Sequence, residues 1–466
     1  MIDAFRLWAR QAWVDGRWQH NVVLDVGSDG CFSAVVTGVS KPDDAVLLHG
    51  PVLPGMVNAH SHAFQRAFAG MAERRDSAAD DFWSWRQRMY EVALRVSPEA
   101  LQAVATQLYS ELLRGGYTQV CEFHYLHHAP DGSRYADPLA MCRALMHAAQ
   151  ATGIGLTLLP VLYERAGFDQ PALRPDQRRF ATDTDAVLAL RDGIRAAAQP
   201  LVSAGVAIHS LRAASAASIS RLVHQIGADP APIHIHIAEQ TGEVNDCLAA
   251  TGLRPIEWLA RHVELDTRWQ LVHATHASGD EIATVARSGA GVVLCPTTEA
   301  NLGDGLPDLP AWMRAGAVLS LGSDSHVCRD WPQELRLLEY GQRLLLRQRN
   351  VSADPATAQN SSAARLFNAC LDGGRAAAGF ERWGLQAGAR ADFIMPHLHV
   401  PALAGIPEEN LLDAWVFGGA EVPLREVVVA GRRCLLEPDH VLPWQLDFTV
   451  AMRDLWHKRS RTKARK

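Results

Sequence analysis

The 466-residue sequence predicts an α/β fold built on a TIM-type (β/α)8 barrel. Two observations predict it. Eight short apolar runs rich in Val, Ile and Leu recur along the chain, near Val46–Asn58, Thr118–Phe123, Gly155–Tyr163, Val206–Ser210, Ile233–Ala238, Gln270–Ala274, Gly291–Cys295 and Ala317–Gly322. Between them lie longer Ala- and Arg-rich segments of helical period, such as Glu99–Arg114, Thr184–Ala198 and Glu334–Arg349. Strands that alternate with helices pair in parallel, because a parallel pair needs a crossover, and eight such units close a barrel.

The two ends depart from this pattern. Residues 1–50 show short alternating stretches with turn signals, such as Trp13-Val14-Asp15-Gly16-Arg17-Trp18. The segment from about Gly384 to Leu436 is similar, with Glu426-Val427-Val428-Val429-Ala430-Gly431 as a strand, and the C-terminal part of the small domain is expected to span 384–450. By fold analogy, both ends combine in one small β-sandwich domain beside a barrel of residues 51–383, and 451–466 is a basic tail.

Composition narrows the class. With 48% hydrophobic and 21% charged residues the chain reads as an ordinary globular protein. It has no apolar run long enough for a membrane span. The segment Met1–Arg10 carries charge and does not resemble a secretory signal. A net charge of -6 speaks against nucleic acid as partner, and the basic run Lys458–Lys466 reads as a solvated end. The eight cysteines form no CxxC pair, which argues against a cysteine zinc site and for reduced core thiols in the cytoplasm.

Four strand ends carry candidate chemistry. In Asn58-Ala59-His60-Ser61-His62 the histidines are two apart, so in a strand both project to one side and can grip one ion or form a structural pair. Ile233-His234-Ile235-His236-Ile237-Ala238-Glu239 ends another strand, where either histidine can bind an ion and Glu239 can carry protons. Leu271-Val272-His273-Ala274 places a single histidine, a core residue or a functional one. In Leu319-Ser320-Leu321-Gly322-Ser323-Asp324, Asp324 is either a ligand or the N-cap of the next helix. These candidates fall at the C-terminal ends of inferred strands one, five, six and eight, the face where barrel enzymes hold their active sites. Histidines with an aspartate and an open position suit a hydrolytic metal centre.

HxH, then HxxE, then a lone His, then a strand-end Asp resembles the amidohydrolase superfamily. Leu53-Pro54-Gly55-Met56-Val57-Asn58-Ala59-His60 resembles that family's first barrel strand. Gly388-Ala389-Arg390-Ala391-Asp392-Phe393-Ile394 resembles its return to the small domain, with Arg390 where lysine is commoner. The resemblance runs from about residue 5 to about residue 450. It implies one divalent ion, zinc, held by His60, His62, His236 and Asp324, with Glu239, His273 and Asp324 catalytic. It also implies a homodimer. Binuclear members commonly bridge two metals with a carboxylated lysine. No lysine lies between Lys41 and Lys458, so a mononuclear, deaminase-type site is expected.

The substrate is read from the remaining polar residues. His209-Ser210-Leu211-Arg212 ends strand four, and Phe82-Trp83-Ser84-Trp85-Arg86 lies in the loop after strand one. Two arginines suit a dicarboxylate, although both can also face solvent or support the fold. His60-Ser61-His62-Ala63-Phe64-Gln65-Arg66 resembles the branch of the family that deiminates linear formimino acids. That likeness implies Gln65 at the formimino group and Arg86, Tyr125, His209 and Arg212 at the carboxylates of N-formimino-L-glutamate. The neighbouring His124, His127 and His128 read as loop or supporting residues rather than as a second metal site. Two rivals stand beside this reading. One is a ring aminohydrolase of the same fold, in which Trp83 and Trp85 would stack on a guanine, cytosine or nucleoside. The other is a non-catalytic barrel scaffold, which the full set of candidate ligands speaks against.

Overall fold

The eight barrel strands are Met56–Ser61, Tyr117–His124, Gly155–Leu162, a broken strand four (Val202–Ala204 and Val206–Ile208), Ile233–Ile237, Trp269–His273, Gly291–Leu294 and Val318–Leu321. They are strands one to eight below. The structure is a computed structural model and describes residues 2–74, 82–397, 400–419, 422–434 and 443–457. Each strand pairs in parallel with its successor through the sheet. Strands two and three are buried at every residue, as a parallel sheet covered on both faces requires. Strand four breaks at Gly205, where a Cβ would lie 2.4 Å from the Pro232 carbonyl oxygen.

The ring closes between strands eight and one. The Asp324 amide donates to the His60 carbonyl at 3.0 Å, and the His62 amide donates to the Asp324 carbonyl at 3.2 Å. Three of the four candidate ligands, His60, His62 and Asp324, are therefore part of the closing ladder itself.

The small domain holds two four-stranded sheets. Phe5–Val14 and Arg17–Val26 form a hairpin whose Asp15-Gly16 turn has positive φ at both residues, 52° and 74°, the geometry of the tight turns favoured between twisted strands. Asn368 pins this hairpin to the barrel: it accepts from Trp13 Nε1 and donates to the Gly16 carbonyl, both at 2.9 Å. The second sheet orders Arg432–Cys434, Leu424–Val429, Phe393–Pro396 and Leu53–Pro54. Leu7, Leu24 and Phe32 from one sheet pack with Phe393, Met395 and Val428 from the other. Arg390 pairs with the buried Asp392 at 2.7 Å and lies over the rings of Phe380 and Trp383.

Three segments differ from the sequence reading. Trp85 and Arg86 stand on a helix, Phe82–Ala93, rather than in a loop. The segment read as part of the β-domain also holds the helix Leu411–Phe417. Residues 451–457, read as the start of the basic tail, complete a helix, Pro443–His457. Ala451 and Leu455 of that helix are buried, and Trp456 Nε1 donates to the Ala67 carbonyl at 2.9 Å. An apolar face covered by the barrel outweighs the nearby positive charge. The basic run Lys458–Lys466 lies outside the described residues.

The helix Ser362–Ala377 lies across strands eight and one, and close contact depends on glycine. A Cβ on Gly373 would sit 1.9 Å from the Leu319 carbonyl oxygen, which is backbone and cannot move aside cheaply. Gly373→Ala is expected to destabilise the protein by roughly 1–3 kcal/mol, the usual range for overpacking. A thermal unfolding midpoint equal to that of the unmodified chain would refute this packing.

Candidate metal and substrate site

Strand one presents His60 and His62 on one side, and strand five brings His236 to meet them. His60 Nε2 lies 3.1 Å from His62 Nε2 and 3.0 Å from His236 Nε2. Four nitrogens around zinc at ~2.0–2.1 Å would stand about 3.3 Å apart, so this spacing fits a shared ion. In His62 and His236 the other ring nitrogen is engaged in a way that aims Nε2 inward. His62 Nδ1 pairs with the Phe123 carbonyl and His236 Nδ1 with the His209 carbonyl, each at 2.9 Å. Burial first, then repulsion among the rings, lowers the pKa of His60 and His236, and burial takes His62 down to about 3. All three are neutral donors, as metal binding needs.

Asp324 completes the set. Its Oδ1 lies 3.3 Å from His62 Nε2 and 3.6 Å from His60 Nε2. It does not cap the next helix; Asp330 accepts from the Gln333 amide there. His234, the alternative to His236, donates from Nε2 to the Ala377 carbonyl at 2.9 Å, away from the cluster. The donor set fits a divalent cation with His60, His62, His236 and Asp324 around it.

His273 faces three acids. Its Nδ1 lies 3.3 Å from Glu299, and its Nε2 lies 3.7 Å from Glu239 and 3.8 Å from Asp324. Burial opposes its charge, but Glu239, Glu299 and Asp324 outweigh burial and raise it to about 10. A divalent cation on Asp324 would oppose that imidazolium. Asp324 itself is raised to about 7, chiefly by burial, with His273 pulling the other way.

Behind the ligands sits a polar frame. Glu122 accepts from Ser61 Oγ and from the Ala63 amide, both at 2.6 Å, so it ties down the Ser61 side chain and the Ala63 backbone on either side of His62. Burial raises Glu122 to about 7 against these hydrogen bonds. Asn58 and Ser323 exchange two hydrogen bonds at 2.7 and 2.9 Å across the barrel seam. Glu122 and Glu299 escaped the sequence reading. The usable signal was an acid inside or just past an apolar strand, as in Cys121-Glu122-Phe123.

One cavity brings the remaining residues together. Gln65, Arg86, Tyr125, His209 and Arg212 line it along with His62, His236, Glu239, His273 and Asp324. Gln65 Nε2 donates to Tyr125 Oη at 3.0 Å, and Gln65 Oε1 is buried without a hydrogen-bond partner. Burial lowers the Arg86 pKa, and the charge of Arg212 adds to that, so an anion near both is favoured. Tyr90 and Tyr163, not singled out from sequence, line the same cavity, and Gln177 donates to both hydroxyls at 3.3 and 2.9 Å. Trp85 lines it too, whereas the Trp83 side chain lies outside what is described. His124 and His127 do not join this cavity.

The sequence profile of the amidohydrolase family matches residues 52–434, and the chain belongs to that family. A formimidoylglutamate deiminase of Pseudomonas aeruginosa is 45% identical over 93% of this chain and 95% of its own length. A 5-methylthioadenosine/S-adenosylhomocysteine deaminase of Natronomonas pharaonis is 27% identical over 82% of this chain and 80% of its own. A crystal structure of an amidohydrolase from Brucella melitensis superposes with a TM-score of 0.91 at 40% identity, covering 97% of this chain and 99% of that one. A zinc-bound adenosine deaminase structure from Xanthomonas campestris gives 0.78 at 23% identity, covering 98% of each chain, which speaks for the fold.

Removing the Glu122 carboxylate frees the loop that carries His62. Glu122→Ala is expected to weaken divalent-metal affinity ~10- to 100-fold, as loss of a ligand-orienting partner does. Competition against a chelating dye measures it, and undiminished affinity would show that Glu122 does not set the ligand geometry.

Proposed function

We propose that this chain hydrolyses N-formimino-L-glutamate to N-formyl-L-glutamate and ammonia, a step of histidine breakdown, using one zinc ion per chain. The observation that carries the reading is the cavity in which Arg86 and Arg212 share a wall with Glu239 and the imidazole cluster. A linear dicarboxylate matches two guanidiniums at one end and a reacting carbon at the other. The similarity to the Pseudomonas deiminase supports this substrate over a ring, which needs no arginine pair. Eight free cysteines suit a reducing compartment, and we assign the protein to the cytoplasm.

A cation held by His60, His62, His236 and Asp324 would supply Lewis acidity, lowering the pKa of water to about 7. The chain's own groups then do the following. Arg86, Arg212, His209 and Tyr125 hold the carboxylates and so place the formimino carbon. Gln65 has a buried carbonyl oxygen to spend on the formimino N–H. Asp324 takes the proton of the attacking water, and His273 donates a hydrogen bond that aims its oxygen at that carbon. Glu239, 3.7 Å from His273, delivers a proton to the departing nitrogen, so that ammonia leaves rather than an amide anion.

Zinc-loaded protein is expected to release ammonia from N-formimino-L-glutamate but not from guanine or cytosine. Release only from a ring would overturn the substrate. Glu239→Gln should keep its metal and lose roughly 10²–10⁴-fold in turnover. Full activity in that metal-replete variant would remove Glu239 from proton transfer. Arg212→Ala should raise KM roughly 10- to 150-fold, the worth of a charged hydrogen bond; unaltered kinetics would place the carboxylates elsewhere.

A further inference from the structure

Along strand two, Phe123 turns into the barrel, with its ring 4.3 Å from that of His236. Its neighbour His124 therefore projects to the opposite side, toward the helix Ala140–Thr152. There it meets His127 and Cys142. All three are at least nine-tenths buried, at 2%, 5% and 1% exposure. One ligand atom from each lies within 4.8 Å of the others, and the two imidazole rings stand 4.9 Å apart. Neither ring nitrogen of His127 makes a well-formed hydrogen bond, and nor does His124 Nε2. His128 is not part of this group: its Nε2 pairs with the Ala181 carbonyl at 2.7 Å. Three buried ring nitrogens short of a well-formed hydrogen bond, with only a weaker approach of the His127 ring to the His124 backbone, are a loss the fold would not normally carry, and a bound ion would explain them.

We propose that His124, His127 and Cys142 form a second, structural metal site for a thiophilic d10 ion, zinc(II) or copper(I). The donors are one thiol and two imidazoles, with no carboxylate or water-rich surface, a set that selects soft and borderline ions over magnesium or calcium. Burial first, then the charge of Arg179, lowers His124 to about 3, so no proton competes for its lone pair. Burial first, then the charge of Asp137, pushes the Cys142 thiol up to about 12, so the ion itself must displace that proton: on binding it passes to solvent and the sulfur bonds the ion. The thiolate is needed, because its charge offsets the ion beside Arg179. The site would fasten the end of strand two to the following helix. That strand end includes the Phe123 carbonyl, which pairs with His62 Nδ1 at 2.9 Å. The second ion thus supports the orientation of a catalytic-site ligand without touching substrate.

The test uses the full-length protein and needs no substrate. Elemental analysis of the protein as isolated should give two ions per chain, falling to one in Cys142→Ser, and the element lost tells zinc from copper. After metal removal and loading with cobalt(II), the unmodified chain should show a near-ultraviolet thiolate-to-cobalt charge-transfer band. The catalytic set of three imidazoles and a carboxylate cannot produce it. The band should vanish in Cys142→Ser while the visible cobalt bands of the catalytic site persist. His127→Gln is the second variant should Cys142→Ser fail to fold. One ion per chain together with no charge-transfer band in the unmodified protein would overturn the proposal. So would a second ion and a band that survive both substitutions.

Discussion

The seam between strands one and eight is the constraint on which the site depends. Two backbone hydrogen bonds close the barrel there, and the residues that make them are His60, His62 and Asp324. Closing the sheet therefore also brings together three of the four candidate ligands, which His236 meets from strand five. Neither histidine can drift without opening the ring, and Asp324 cannot swing away without losing its own pairing. Asn58 and Ser323 reinforce the seam one layer deeper, where no ligand sits. A site on a closed ladder is held more rigidly than one on free loops, as close ligand geometry requires.

Backbone strain gathers at the same place. Ala238, His273, Ala274, Asp324 and His326 all have positive φ, between 46° and 71°. None is glycine, and such conformations cost free energy that surrounding structure must offset. Here they turn the chain sharply as it leaves strands five, six and eight. The turn aims side chains across the mouth of the barrel instead of along the strand axis. Burial does the electrostatic half of the work: it keeps three imidazoles neutral, while Glu239, Glu299 and Asp324 together hold one, His273, charged.

The barrel was legible because buried parallel strands are continuous apolar runs, and the helices between them keep their own period. His60 and His62 were legible because period two puts both on one side. The choice between His234 and His236 was not, since they share that side. Depth in the barrel separates them, and depth depends on where the Ala377 carbonyl lies. The ambiguity at Asp324 had the same origin: the helix cap falls six residues later, at Asp330. Glu122, Glu299, Tyr90 and Tyr163 were missed because each earns its place through a partner distant in sequence. The two-residue strand Leu53–Pro54 is too short for any periodicity to show. In the helix Pro443–His457, charge past its end masked an apolar face.

The small domain, finally, is divided by the whole length of the barrel. Its first sheet is complete by Leu48, yet the strands that cover its inner face begin at Phe393. During synthesis that first sheet emerges with Leu7, Leu24 and Phe32 still exposed to water. It cannot bury them until nearly all the barrel has been made, and contacts so far apart in sequence form late. The sandwich is therefore a latch: it fastens after the barrel has folded, and it records that both ends of the chain have arrived. A chain arrested before Phe393 would carry an uncovered apolar sheet, the kind of surface that chaperones bind and that aggregates grow from.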